Sequence, residues 1–161
     1  MRRNIVQVIL PILATITLTR CDLVEYNFNN PYTGFTETDS SGNVITTDSD
    51  DWRLISTPHS TLPPNLSPEI RPAYPNPAST HTYIYLRVEN DVTDLDIHIE
   101  DRQRKTVRVL QKGFLPKGTY QFLWYLDDDE GNPLGNDLYR CRISFVQDGF
   151  QFSSYGDIQI E

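Results

Sequence analysis

From Thr82 onward, apolar and polar residues of this 161-residue chain alternate with a period of two. A strand places successive side chains on opposite faces, so this period predicts half-buried β-strands, and no helical period follows residue 20. Short turn signals separate the strands, and Asp148-Gly149 in particular predicts a two-residue hairpin. Six or seven such strands predict an all-β fold, an antiparallel β-sandwich. The predicted apolar faces comprise Ile84, Leu86 and Val88; Leu95, Ile97 and Ile99; Val107 and Val109; Tyr120, Phe122 and Trp124; and Tyr139, Cys141, Ile143 and Phe145.

The first twenty residues have the pattern of an export signal. Arg2 and Arg3 precede an apolar stretch that runs from Ile5 to Thr19. A helix of about fifteen residues reaches about 22 Å, which is short of a hydrocarbon core of about 30 Å, so a permanent transmembrane helix is disfavoured. We therefore predict that residues 1–20 are a removable signal peptide and that the protein is exported.

This signal ends at a cysteine. Leu18-Thr19-Arg20-Cys21 resembles a bacterial lipoprotein signal, although the family has a small residue where this chain has Arg20. The resemblance implies lipidation of Cys21, attachment to a membrane through that lipid, and a place in the cell envelope as an outer-membrane lipoprotein, on either the periplasmic or the surface side. Two alternatives stay open: an ordinary secretory signal, and a disulfide between Cys21 and Cys141, the only other cysteine.

Residues 21–71 differ in composition from the rest of the chain. The first part is rich in Asn, Thr, Ser and Asp, and seven of the eleven prolines lie between Ser56 and Pro77. Such a segment buries little apolar surface, and closely spaced prolines favour extended backbone. We predict a flexible, Pro-rich tether over 21–71 and a sandwich domain over 72–161. Two aromatic patches, Val24–Phe28 and Trp52–Ile55, either dock on that domain or act as short recognition segments.

The charge of the chain argues against one class of partner. The formal net charge is −8, and loss of Arg2, Arg3 and Arg20 with the signal leaves 11 basic against 22 acidic residues, a net charge of −11. An acidic protein repels phosphate backbones, so we predict that nucleic acid is not a partner.

No catalytic or metal-binding pattern is present in the sequence. His59, His81 and His98 lack the spacing of a metal site, and no serine lies in a nucleophile elbow. The acidic run from Asp127 to Asn132 has oxygen ligands that suit calcium but lacks the spacing of a calcium loop, so an exposed acidic hairpin is favoured over a calcium site. We expect no enzymatic activity, no cofactor and no bound metal.

Polar aromatic residues lie opposite the apolar face of the first predicted strand of the domain. Tyr83, Tyr85 and Arg87 alternate with the apolar residues of that strand and would share its outer face. Tyrosine and arginine suit a platform for a sugar or a peptide, although strand propensity alone also explains exposed tyrosines. These three residues are the candidate binding face.

Residues 72–160 carry a series of motifs that together have a family resemblance. The series is the Tyr-Pro-Asn-Pro motif within Pro72–Thr80, a strand-turn-strand unit over Leu95–Leu110, a Leu-Pro-x-Gly-x-Tyr loop within Phe114–Trp124, and an acidic hairpin over Asp127–Tyr139. It resembles the immunoglobulin-like module of the flagellar hook-capping protein and the related C-terminal sorting domains of type IX secretion cargo. The resemblance implies an immunoglobulin-like β-sandwich.

Two features depart from that family. Arg102-Gln103-Arg104 replaces a glycine-containing turn, and the end of the chain, Ser153–Glu161, has no lysine, unlike sorting domains. We therefore expect a lipid-anchored cell-envelope protein that displays the sandwich as a structural or adaptor module for protein-protein interaction, with a partner in the envelope or among secreted proteins. The alternative is a type IX secretion cargo or sorting-like domain.

Overall fold

A computed structural model describes residues 32–57 and 62–161, and all regular secondary structure in these ranges is β-strand. No helix in the described part of the chain is long and apolar enough to span a membrane. The predicted signal peptide, Cys21, the Val24–Phe28 patch and His59 lie outside the described residues. The strands are β1 (Glu37–Thr38), β2 (Val44–Thr46), β3 (Ile55–Thr57), β4 (Glu69–Tyr74), β5 (Thr82–Val88), β6 (Val92–Glu100), β7 (Thr106–Leu115), β8 (Gly118–Trp124), β9 (Leu138–Gln147) and β10 (Phe150–Gln159).

Two antiparallel sheets pack face to face. One has five strands in the order β3-β10-β9-β6-β7, and the other has three in the order β4-β5-β8. Strands β1 and β2 form a separate small hairpin. The prediction of an all-β antiparallel sandwich is confirmed.

Period-two alternation placed the core residues correctly. Ile84, Ile97 and Trp124 are completely buried between the sheets, and Cys141 lies beside them on β9. Burial of one face per strand is the condition that produces the alternation in the sequence. At the margins of the sandwich the same faces are only half-buried, at Val107, Val109, Tyr120 and Phe122.

The Asp148-Gly149 hairpin forms as the sequence predicts. Gln147 pairs with Phe150, and both turn residues have positive φ, 50° and 81°. This conformation is that of a type I′ turn, whose twist matches the twist of the two strands that it joins.

Part of the predicted tether belongs to the sandwich. Strand β3 pairs with β10, and Trp52 is only 7% exposed because its indole lies over Gly156 in the core. Leu66 is also buried, and the predicted domain boundary at residue 72 falls inside β4. Residues 36–57 therefore differ from the extended tether predicted for 21–71, because a buried tryptophan offsets the entropy that its segment loses on ordering. Of the two alternatives for Trp52–Ile55, docking on the domain is the one observed.

The side chains of Asp51 and Asn76 form hydrogen bonds with the backbone of β10 at one side of the sandwich. Asp51 accepts hydrogen bonds from the backbone nitrogens of Thr36 (2.8 Å) and Asp157 (2.9 Å). Asn76, which lies between two cis prolyl bonds in the Tyr-Pro-Asn-Pro motif, accepts one from Gln159 N (2.9 Å) and donates to the carbonyl oxygens of Thr36 and Asp157. These contacts satisfy backbone groups of β10 beyond the end of the short strand β3.

Cys141 is a free thiol in the core, and its burial raises the thiol pKa. Because the thiolate is the reactive species, we expect no modification of Cys141 by a maleimide in the native protein and complete modification in denaturant. Peptide mass spectrometry after timed labelling measures this. Modification of native Cys141 at the rate of a free peptide thiol would contradict its burial.

Candidate interaction face on the three-stranded sheet

The candidate residues Tyr83, Tyr85 and Arg87 lie on the outer face of the three-stranded sheet, opposite the core. The residues that pair with these three on the two neighbouring strands extend the surface on both sides. On β4 the partners are Tyr74, Arg71 and Glu69, and on β8 they are Leu123, Gln121 and Thr119. We refer to this surface, defined by Glu69, Arg71, Tyr74, Tyr83, Tyr85, Arg87 and Gln121, as the tyrosine face.

A cluster of rings forms one end of the tyrosine face. Tyr74 and Tyr83 have ring centroids 5.6 Å apart, and His81 meets Tyr83 edge-on at 5.3 Å. Gln121 donates a hydrogen bond to the Tyr74 hydroxyl oxygen (2.7 Å). These contacts hold the rings in place, which lowers the entropy that a partner would have to remove on binding.

Tyr85 is less accessible than the sequence suggests. It is 8% exposed because the Arg71 guanidinium lies 4.4 Å from the centre of its ring. Of the three candidate residues, only Tyr83 and Arg87 therefore offer substantial surface. Arg71, Tyr74 and Gln121 join them, and strand pairing brings these three residues together from β4 and β8, which a pattern within one strand cannot indicate.

The charges of the tyrosine face are balanced. Glu69 accepts from Arg71 (2.6 Å) and pairs with Arg87 (3.2 Å), and Glu89 lies 3.5 Å from Arg87. Side-chain exposure of the two arginines is 58% and 45%, so water screens these ion pairs and they contribute little to stability. The face is thus polar, aromatic and close to neutral, in contrast to the acidic chain.

A small cavity of about 90 Å³ lies between the tyrosine face and the turn of the β1–β2 hairpin. Gly42 lines it in a left-handed conformation (φ 82°), and an added Cβ there would lie 3.4 Å from the Tyr74 ring. That distance is close to an ordinary van der Waals contact, so it is the left-handed backbone, which L side chains rarely adopt, that favours glycine at residue 42. The cavity has room for one side chain or a few waters and is too small for a typical metabolite.

A second, more open cavity of about 260 Å³ lies on the outer face of the five-stranded sheet. His98 lines it and contacts Asp96 (2.7 Å) and Glu100 (3.2 Å), and Arg142 donates to Glu100 (2.7 Å). These polar groups are already paired with one another. Ser144, Ser153 and Ser154 also line the cavity, but both ring nitrogens of His98 already contact carboxylates and are not free to activate a serine hydroxyl.

The acidic run Asp127–Asn132 forms a closed turn. Asp128 accepts hydrogen bonds from the side-chain amide of Asn132 (3.0 Å) and from the backbone nitrogens of Asn132 (2.8 Å) and Glu130 (3.0 Å), which lowers the pKa of its carboxyl. Asp129 contacts the edge of β7, where its carboxylate accepts from Val109 N (2.9 Å). In the described part of the chain, no group of three or more His, Cys, Asp or Glu side chains is arranged to hold a metal ion.

One charged cluster is buried, although its arginine, Arg140, alternates with the inward residues of β9 and therefore lies on the outward face of that strand. Arg140 is 1% exposed and forms a bidentate ion pair with Asp157 at 2.6 and 2.7 Å. Its guanidinium lies between the rings of Tyr32 (4.3 Å) and Tyr155 (4.2 Å). The Arg140 side chain lies on the face of β9 that is opposite the core, and the segment from Tyr32 to Asp51 covers it.

Asp51 beside this cluster makes stability dependent on pH. Burial, followed by the charge of Asp157, raises the pKa of Asp51 to about 7, and burial also raises the pKa of Asp157. A carboxyl group whose pKa is higher in the folded than in the unfolded state stabilises the protein fully at pH values below its unfolded pKa. This stabilisation is lost as the pH rises through the folded pKa. We expect the free energy of unfolding to fall by about 2 kcal/mol between pH 5 and pH 8.

Urea unfolding at several pH values measures this dependence. In Asp51→Asn the slope against pH between 5 and 8 should be much smaller, although the variant is less stable because an amide cannot accept hydrogen bonds at both positions. Equal slopes in the two proteins would contradict the assignment to Asp51.

Comparison with known proteins gives distant similarities only. No protein-family model matches the chain, and no curated protein is significantly similar to it. Among solved structures, dimeric latent PorU from Porphyromonas gingivalis aligns with a TM-score of 0.47 and 17% identity over 58% of this chain. FlgD from P. aeruginosa aligns with a TM-score of 0.35 and 14% identity over 67% of this chain and 76% of its own. The chain spans only 9% of PorU, and at this level of similarity the fold assignment rests on the strand pairing described above.

Proposed function

We propose that this chain is a lipid-anchored cell-envelope protein whose β-sandwich is a binding module for another protein and not an enzyme. The observation that carries the proposal is the tyrosine face, on which rings and guanidinium groups are held in place at the surface. Tyr and Arg are enriched at protein interfaces, where they combine apolar area with hydrogen bonding. The near-neutral charge of this face favours a neutral, polar protein surface as the partner.

The Cys21 anchor is supported by the lipoprotein-like signal sequence. Acylation would hold the sandwich at a membrane, and residues 22–31 would be the chain between Cys21 and Tyr32, which contacts Arg140 of the sandwich. A protein fixed in this way meets its partner at a raised local concentration, so a moderate affinity suffices.

A photo-crosslinking experiment in intact cells tests the binding role. A photoreactive amino acid at Tyr83 should give a discrete crosslinked protein, and the same amino acid at Gln151, an exposed position on the other sheet, should not. Arg87→Ala should reduce the crosslink from position 83. Identical crosslinks from positions 83 and 151, or none from either, would overturn the assignment of this face.

Mass spectrometry of the mature N-terminus tests the anchor. We expect acyl groups on Cys21 and release of a Cys21→Ala variant from the membrane fraction. An unmodified, freely secreted protein would refute lipid anchoring and would favour the alternative of a secretion cargo.

A further inference from the structure

Three of the four outer strands of the two sheets are short or covered by other parts of the chain. Strand β3 has only three residues. Thr38 covers β4, since its hydroxyl donates to Ala73 O (2.6 Å). Asp129 covers part of β7 through hydrogen bonds with Val107 O and Val109 N. Each of these features hinders the addition of another strand.

Strand β8 differs from the other outer strands. It pairs with β5 along all seven residues without a bulge, and no strand within residues 32–57 and 62–161 lies on its other side. The hydrogen bonds between loops and strand edges in the described part of the chain do not involve the β8 backbone. Every second residue of an edge strand directs its N–H and C=O groups outward, so β8 presents a row of groups that no other described residue satisfies.

The side chains of β8 also favour strand addition. The sequence Gly118–Trp124 contains neither a charged residue nor a proline, which are the usual means of protecting an edge. Tyr120 and Phe122 are stacked with centroids 6.1 Å apart and are only half-buried at this open side of the sandwich. Tyr125, which follows directly, is 65% exposed.

We propose that β8 pairs with β8 of a second copy of this chain, antiparallel about a two-fold axis at Gln121, to form a continuous six-stranded sheet. In this register Tyr120 of one copy lies opposite Phe122 of the other, and Thr119 lies opposite Leu123. The strand is therefore complementary to itself, and aromatic pairs directly across an antiparallel ladder are favourable. Such an interface is isologous and closes at two copies.

The charge of the chain predicts how this association depends on salt. The net charge of −8 opposes association of two copies. Salt screens this long-range repulsion, while strand pairing depends little on salt, so association should increase with ionic strength. The proposal concerns the edge of the sheet and does not depend on the role proposed for the tyrosine face.

Charge reversal at Gln121 tests the proposal. Two differently tagged copies of the full chain are co-expressed and co-purified through one tag. Gln121→Lys in both copies, or Gln121→Glu in both, places like charges opposite each other at the axis and should reduce co-purification at least about ten-fold. Combining the Lys copy with the Glu copy should restore co-purification, which would also show that each variant folds. Gln151→Lys, an exposed glutamine on β10, serves as the matched control and should have no effect.

Disulfide crosslinking supplies a second, independent measurement. Gln121→Cys should yield a reducible dimer in intact cells, and Gln151→Cys should not. Undiminished co-purification of the Lys copies, or absence of the reducible dimer in the Gln121→Cys variant, would overturn the proposal. Capture of a different protein through β8, without a second copy, would also overturn it.

Discussion

Trp52→Ala is expected to lower the free energy of unfolding by about 3–5 kcal/mol. The indole is 7% exposed and belongs to the core, although it enters from a loop outside the two sheets. Its removal leaves a cavity beside Gly156 and frees the segment that carries Asp51. Urea unfolding followed by circular dichroism measures the change. Tyr125→Ala is a suitable control, because that ring is 65% exposed and its loss should cost no more than about 0.5 kcal/mol.

Two further variants show whether the contact with Gly156 is responsible. The indole Nε1 of Trp52 has no hydrogen-bond partner among the described residues, so Trp52→Phe should cost less than half as much as Trp52→Ala. In Gly156→Ala the new Cβ would lie 2.0 Å from Trp52 Cε2, and a rigid ring cannot yield without displacement. We expect Gly156→Ala to be strongly destabilising alone and nearly neutral when Trp52 is already alanine. Additive effects of these two changes would contradict direct contact.

Asp157→Ala should be comparably destabilising, by about 3–5 kcal/mol, because it leaves the Arg140 guanidinium buried without its bidentate carboxylate. The pair is 1% and 3% exposed, and its atoms lie 2.6 Å apart. The reverse change, Arg140→Met, leaves Asp157 near Asp48 and Asp50, whose charges already oppose its ionisation. We expect that single variant to lose stability as well.

The double variant Arg140→Met/Asp157→Val distinguishes the contribution of the pair from the cost of an isolated charge. A buried ion pair replaced by apolar residues is often close to neutral, so the double variant should be more stable than either single variant. Thermal and urea unfolding at pH 7 provide the comparison. A double variant whose loss equals the sum of the single losses would show that the two groups do not stabilise each other.

Most of the fold follows from local features of the sequence. Alternation identified the buried residues of β5, β6 and β9, and Asp148-Gly149 identified a hairpin, because each depends on residues that are neighbours in the chain. The candidate residues Tyr83 and Arg87 follow from the same alternation. Their neighbours on the tyrosine face, Arg71, Tyr74 and Gln121, do not, because strand order determines them.

The sequence by itself determined the all-β class, the inward and outward faces of β5, β6 and β9 and the acidic character of the chain. Tertiary structure alone decided that Trp52 lies over Gly156 and that Asp51 contacts Asp157, a residue 106 positions later in the chain. It also decided that an outward arginine, Arg140, is buried. The physical reason is that a strand's own pattern indicates only which face is turned toward the core. Whether the opposite face is covered as well depends on which distant segment gains most by burying its side chains there.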